Sequence, residues 1–317
     1  MAAPTLWDDK PTLPWSQLRR RLRDNPEVWS ALRAALNDHP ATAGHLAGLR
    51  EHRVNPEYPS DSTWFTGTWA PEHTGVLVKI NVTPRERFWM TTASRATTGI
   101  VPRVFAGDSE LAGDDISWLV LERIPYSYEP TWGAAALTAM LRAAARFQVF
   151  AASVDTHLVY EEGIETIRRW ALAGQDLCQE AAIVVASLDW DWAWVTEVAP
   201  AEVMFGDLHF GNVAFTAPPP HAAALLFDPI PRRQPWPFEP AYLETLCGGE
   251  GLVREMAAIR AAQHRPTCTT AETDRLATLY CAWMALLSWG ILPHLKADAA
   301  RRERLTNYVT AAARLEW

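Results

Sequence analysis

The chain has 317 residues, 49% of them hydrophobic, with 29 Lys and Arg against 37 Asp and Glu for a formal net charge of −8. That length builds one large domain or two lobes around a substantial core, and the composition is neither disordered nor fibrous. An acidic chain whose longest basic run is Arg19-Arg20-Arg21 lacks the electrostatic footprint of a nucleic-acid binder.

The first ten residues contain no apolar segment of the kind that opens a secretory signal, which predicts a cytoplasmic location. Residues 1–58 read as an N-terminal helical extension. Leu18 and Leu22 share a face, Asn25-Pro26 makes a cap and a first-turn proline, and a second helix runs to about Leu36. Residues 59–124 turn to strands. Trp64-Phe65-Thr66-Gly67-Thr68-Trp69 and Gly75-Val76-Leu77-Val78-Lys79-Ile80 form a hairpin, and two further strands span Val101 to Ala106 and Ser117 to Glu122. Between them Thr83-Pro84-Arg85-Glu86 combines an N-cap, a first-turn proline and a glutamate at the third position, so a helix starts there.

Residues 125–317 are mainly helical. Ala-rich helices occupy about 133–154 and 161–187, a hairpin-like region spans 203–228 around Ala217-Pro218-Pro219-Pro220-His221, and three helices follow. The longest apolar stretch, Leu279 to Leu292, is broken by Ser288 and Gly290 and is too short for a bilayer; it reads as a buried helix, and no membrane association is expected. Cys178, Cys247, Cys268 and Cys281 are widely spaced with no CxxC pair, the pattern of reduced thiols. A strand-rich half with one helix joined to a helical half is an α+β chain of two lobes.

The segment that carries chemistry is Phe205-Gly206-Asp207-Leu208-His209-Phe210-Gly211-Asn212, followed by Leu225-Leu226-Phe227-Asp228-Pro229. In phosphoryl transfer a loop Asp accepts the proton of the attacking hydroxyl. An Asn five residues on and an Asp after the next strand hold magnesium on the nucleotide phosphates. Asp207, Asn212 and Asp228 have that order and spacing. Mg²⁺ takes hard oxygen ligands, among them a carboxylate and an amide carbonyl. Asp207-Leu208-His209 also forms a D-x-H string, but the further ligand motifs of a metallophosphoesterase are missing downstream.

Gly206-Asp207-Leu208-His209-Phe210-Gly211-Asn212-Val213 resembles the catalytic loop of the aminoglycoside phosphotransferase family of small-molecule kinases. Phe227-Asp228-Pro229-Ile230-Pro231 is similar to the metal-binding Asp segment of its streptomycin and hydroxyurea kinase branch. The resemblance covers roughly residues 60–290. It implies a protein-kinase-like fold with a small antiparallel-sheet N-lobe and a mainly helical C-lobe. It also implies transfer of phosphate from ATP or GTP, with Mg²⁺, to a hydroxyl of a small molecule. Asp207 would be the base, and Asn212 and Asp228 the metal ligands. Two departures stand out: Phe205 replaces the family's His, and Gln234-Pro235-Trp236-Pro237-Phe238-Glu239-Pro240 replaces its Gly-Asp-Pro segment, leaving Glu239 as the nearest carboxylate. Phe205 and the poor glycine loop (Gly67 and Gly75 alone) keep open a non-catalytic binding protein on the same fold.

Lys79, one of three lysines among 29 basic residues, ends an apolar strand run, the place of the lysine that pairs with nucleotide phosphates. Glu86 is the only carboxylate between Lys79 and Asp108 and is expected to pair with it, besides completing the Thr83 capping box. Glu122, Arg123 and Ile124 fall where the resemblance puts the adenine-binding hinge. Residues 125–317 carry 22 acidic and 15 basic residues, a balance that attracts a cationic acceptor such as an aminoglycoside or amino sugar. Asp189 and Asp191, interleaved with Trp190, Trp192 and Trp194, and Glu239 are candidate acceptor contacts. Nucleotide and acceptor are the partners expected; no protein partner is legible.

Overall fold

The structure, a computed structural model, describes residues 26–52, 63–70, 72–96, 99–155, 157–266, 268–291, 296 and 298–315. The helix expected around Leu18 and Leu22 lies outside the described residues. The chain divides into two compact units, residues 1–125 and 126–317.

In the first unit, β1 (Leu46–His52), β2 (Thr63–Trp69), β3 (Thr74–Ile80), β4 (Val104–Asp108) and β5 (Trp118–Glu122) form an antiparallel sheet ordered β1-β2-β3-β5-β4. Phe65, Val76, Val78, Ile80, Trp118 and Val120 fill its core with Leu36 of helix α1 (Pro26–Asp38). Each such side chain contributes about 1.5–3 kcal/mol when fully buried. β1 corrects the helical reading of residues 1–58. Leu46 and Leu49 are both buried at a three-residue spacing that imitates a helix, because a register shift between Ala47 and Arg50 interrupts the strand's alternation. Gly48 takes φ +65° at that bulge, and a Cβ on Gly67 would lie 3.0 Å from the Ala47 carbonyl oxygen. Glycine thus suits the bulge for its left-handed backbone at Gly48 and for the close approach of the neighbouring strand at Gly67.

Helix α2 (Pro84–Ala96) starts as its sequence dictates: the Glu86 N–H donates to Thr83 Oγ1 at 3.1 Å. Glu86, Trp89, Met90 and Ala93 form its buried stripe at helical spacing.

The second unit is organised around α8 (Thr270–Ile291), with α4 (Ile164–Ala173), α6 (Phe238–Cys247), α7 (Leu252–Ala262) and α9 (Ala299–Ala313) packed against it. Leu279 to Leu287 are buried throughout, as a helix apolar on all sides must be. Among the described residues no helix is long and apolar enough to cross a membrane. α3 (Gly133–Ala151) is the predicted Ala-rich helix, whereas the segment expected at 161–187 resolves into α4 and α5 (Ala181–Val198). Four helices, not three, follow residue 228 among the described residues.

β6 (Tyr160–Glu161), β7 (Ala201–Met204) and β10 (Arg232–Pro235) make a three-stranded sheet ordered β6-β10-β7, and β8 (Val213–Phe215) pairs with β9 (Ala224–Leu226). The hairpin expected over 203–228 is thus confined to β8 and β9. β7 pairs with β10 instead, Met204 opposite Arg232, which brings the loop after β7 beside the segment entering β10.

Candidate active site

β7 ends at Met204, and the chain then turns sharply. Phe205 is fully buried against Phe147, ring centroids 5.5 Å apart, and serves as an apolar anchor at the end of the strand. Gly206 follows at φ +91°, and a Cβ there would lie 1.9 Å from the Ile230 carbonyl oxygen. Only glycine fits this turn.

Asp207 sits at the end of the turn, 5% exposed. A 3₁₀ turn over Phe210–Asn212 then reverses the chain; His209 caps it, Nδ1 accepting from the Gly211 N–H at 3.0 Å. The reversal returns Asn212 to Asp207. Its Nδ2 donates to Asp207 Oδ2 at 2.7 Å and to the Asp207 carbonyl at 3.1 Å. Tyr242 of α6 donates its hydroxyl to Asp207 Oδ1 at 3.2 Å, and His209 Nε2 lies 3.5 Å from Oδ2. Burial disfavours a charged His209, but the Asp207 and Asp228 carboxylates outweigh it and raise the imidazole above its ordinary value. Both carboxylates therefore act on one ring.

Asp228 is placed by the β8–β9 hairpin. The Phe227 N–H donates to the Asn212 carbonyl at 2.8 Å, setting the next residue beside the turn, where Asp228 adopts φ +56°. A non-glycine residue held in the left-handed region is a local strain of the kind found at functional sites. Asn212 and Asp228 offer an amide oxygen and a carboxylate. Among the described residues no group of three or more His, Cys, Asp or Glu could hold a metal ion.

Glu239 lies beneath this loop, fully enclosed, instead of at a surface where an acceptor could reach it. Its Oε1 accepts from the Gly206 N–H at 2.8 Å and its Oε2 from Gln148 Nε2 at 3.0 Å. Burial pushes its carboxyl up to about 7 against those hydrogen bonds and one from the Phe205 N–H. Gln148 Oε1 accepts in turn from Arg260 and Arg265, at 3.1 and 2.9 Å, and both arginines pair with Glu202. The other two expected acceptor contacts lie on α5 and are occupied elsewhere. Asp189 is exposed and pairs with Arg168 of α4 at 2.6 Å; Asp191 is fully buried and accepts from Ser187 Oγ at 2.7 Å.

In the first unit, Lys79 Nζ meets Glu86 Oε1 at 2.6 Å, with side-chain exposures of 1% and 5%. Lys79 stands on a central strand, opposite Trp64 on β2 and Leu119 on β5. The Glu86 backbone N–H serves the helix cap, and its side chain serves the pair. At the end of β5, the Glu122 N–H donates to the Arg103 carbonyl at 2.8 Å and the Arg123 N–H to the Gly75 carbonyl at 2.9 Å.

Tyr242, Gln148 and Arg232 were not anticipated. Tyr242 follows Glu239 by three residues, a spacing that puts both on one helix face once the helix is recognised. Gln148 is one polar residue in an apolar helix, and Arg232 an arginine at the start of a strand, neither of which announces a role.

No protein-family model and no curated protein matches this sequence. Solved structures do match its fold. A microcompartment-associated aminopropanol kinase aligns at TM-score 0.57 and 12% identity, covering 90% of this chain and 95% of its own. A choline kinase from Cryptosporidium parvum aligns at 0.56 and 9% identity, with the same coverages of 90% and 95%. A thermostable mutant of aminoglycoside phosphotransferase APH(4)-Ia, in ternary complex with AMP-PNP and hygromycin B, aligns at 0.54 and 14% identity over 90% of this chain and 99% of its own. The antiparallel sheet of the first unit and the helical second unit thus have the kinase-like fold of these small-molecule kinases.

Proposed function

We propose that the chain is a Mg²⁺-dependent phosphotransferase that moves the terminal phosphoryl group of ATP or GTP to a hydroxyl of a small molecule. The Asp207–Asn212 contact carries this reading: a loop carboxylate oriented by the amide five residues on. Asp207 is the base, within reach of an acceptor hydroxyl once that hydroxyl docks, its carboxylate oriented by Asn212 and Tyr242. Asn212 Oδ1 and Asp228 would hold the magnesium. Two hard oxygen donors suit an ion that completes its shell with nucleotide phosphates and water. When bound, it neutralises charge on the phosphates.

Lys79, oriented by Glu86, pairs with those phosphates. The Glu122, Arg123 and Ile124 segment holds adenine, with the Glu122 and Arg123 amides engaged by the Arg103 and Gly75 carbonyls. A cationic acceptor is supported by the acidic balance of residues 125–317 and by the amino alcohols and aminoglycosides named for the similar structures. With Asp189 and Asp191 engaged elsewhere, the attraction belongs to the charge of the unit as a whole.

The test is an acceptor screen over aminoalcohols, amino sugars, aminoglycosides and other hydroxylated antibiotics, following nucleotide consumption and confirming phosphorylated product by mass. Asp207→Ala should abolish transfer and keep nucleotide binding. Normal turnover in that variant removes Asp207 as the base; Mg-nucleotide binding with no transfer across the panel favours the non-catalytic reading.

A further inference from the structure

Gly206 is held at its carbonyl as well as at its N–H, and the group at the carbonyl belongs to a buried charge pair with no part in the transfer itself. Arg232 Nε donates to the Gly206 carbonyl at 3.2 Å, while Arg232 Nη1 pairs with Glu162. The guanidinium carbon also lies 5.4 Å from the centre of the Tyr160 ring. The two charged side chains are 2% and 10% exposed. Burial pushes the Glu162 carboxyl up, and Arg232, Gln234 and Arg169 pull it back.

An enclosed ion pair is a poor way to hold two strands together. Desolvation offsets much of its attraction, and apolar residues of similar volume often serve stability as well or better. β10 is already fixed by its backbone ladder to β7 and β6. What the guanidinium adds is a planar fork that reaches a carbonyl and a carboxylate at once, which neither an apolar side chain nor a lysine does. The carbonyl it reaches belongs to the peptide bond that leads directly into Asp207.

We propose that Arg232 and Glu162 are positioning residues for Asp207, a role that rests on reading Asp207 as the base. Glu162 fixes the guanidinium, the guanidinium fixes the plane of the Gly206–Asp207 peptide, and Glu239 fixes the preceding N–H. The backbone before the base is clamped from β10 and from α6. Without the carbonyl clamp the peptide can rotate about Gly206, a residue with no Cβ to restrain it, and the carboxylate moves off the acceptor hydroxyl. A shift of about 1 Å at a reacting group costs on the order of a hundredfold in rate.

The experiment compares wild type with Arg232→Met, Arg232→Lys and Glu162→Gln. It measures kcat and KM on an acceptor found by the screen, Mg-nucleotide affinity by calorimetry, and hydrogen exchange of the Gly206 amide by NMR. Arg232→Met should lower kcat about tenfold to a hundredfold, keep KM and nucleotide affinity within about twofold, and speed exchange at Gly206. Arg232→Lys should restore little, since an ammonium lacks the fork, and Glu162→Gln should shift both readouts in the same direction by less. If Arg232→Met does not fold, the lysine and glutamine variants, which keep volume and polarity, carry the same readouts. Folded variants with unchanged kcat and unchanged Gly206 exchange overturn the proposal, as does a loss that falls on KM instead of kcat. Should the wild-type chain transfer phosphate to no acceptor, the kinase reading fails on its own, and the Gly206 exchange still decides whether the pair holds the loop.

Discussion

Asn212 donates from one side-chain nitrogen to two oxygens of Asp207, the carboxylate at 2.7 Å and the backbone carbonyl at 3.1 Å. Those bonds fix the amide plane, so the direction of its remaining polar atom, Oδ1, is set by Asp207. The Asp207 carboxylate and the Asn212 amide are thereby oriented as a unit. Asn212→Ala should lower phosphate transfer by about a hundredfold or more and raise the Mg²⁺ concentration needed. Asn212→Asp keeps an oxygen but loses the donor and sets a second carboxylate against Asp207, so it should recover little. Initial rates across a Mg²⁺ titration decide it, and a wild-type rate at wild-type Mg²⁺ in the alanine variant would take Asn212 out of the site.

The Lys79–Glu86 pair predicts a stability effect separable from the nucleotide role proposed for it. Both side chains are enclosed, so Lys79→Met leaves a carboxylate that has lost its cation at 2.6 Å, and should destabilise the fold by about 3–5 kcal/mol. The double variant Lys79→Met with Glu86→Gln should recover much of that loss while nucleotide affinity stays reduced. Urea unfolding and nucleotide titration on the same variants separate the two. Equal destabilisation in the single and double variants would show that the pair's charges are not coupled.

Gly206→Ala tests the turn before Asp207. An added Cβ would lie 1.9 Å from the Ile230 carbonyl, and φ +91° is unfavourable for any other residue. The backbone must move, taking the hydrogen bonds to Glu239 and Arg232 with it. Loss of at least about 1–3 kcal/mol and near-complete loss of transfer are expected, against intact nucleotide binding. An alanine variant of wild-type stability would mean that the turn relaxes freely.

The Asp207–Asn212 contact was legible because both residues lie in one short loop five positions apart, and Asp228 follows just after the strand that pairs back to β8. Lys79 and Glu86 were legible for the same reason, seven residues apart across a capped helix start. Supports from distant segments were not: Glu239 is tied to Gly206 and Gln148, 33 and 91 residues away, and nothing local marks it as buried. As the nearest carboxylate in the segment that stands for Gly-Asp-Pro, Glu239 reads as an acceptor contact from the sequence alone. Asp189 and Asp191 failed as a joint acceptor site for a geometric reason. Residues two apart on a helix face nearly opposite ways, so one reaches Arg168 in solvent and the other is enclosed beside Ser187. β1 was hidden by its bulge, which gave a strand the leucine spacing of a helix.

Asp191 makes the pH dependence of stability predictable in sign. Burial pushes its carboxyl from 3.8 up to about 6, against the Ser187 hydrogen bond and the charge of Arg275. The folded chain therefore keeps a proton that the unfolded chain has already released between those two values. Unfolding releases protons in that window, so stability contributed by this group is present below about pH 4, declines as pH rises to about 6, and stays lost above it. Asp191→Asn keeps the polar contact to Ser187 and removes the ionisation. It should leave stability near pH 4 almost unchanged and raise it by roughly 1–3 kcal/mol above pH 6, flattening the decline between. Urea unfolding of both proteins from about pH 4 to pH 8 measures the difference directly. Parallel stability curves would mean that Asp191 ionises in the folded chain as readily as in the unfolded one, and that its enclosure on α5 opens to water.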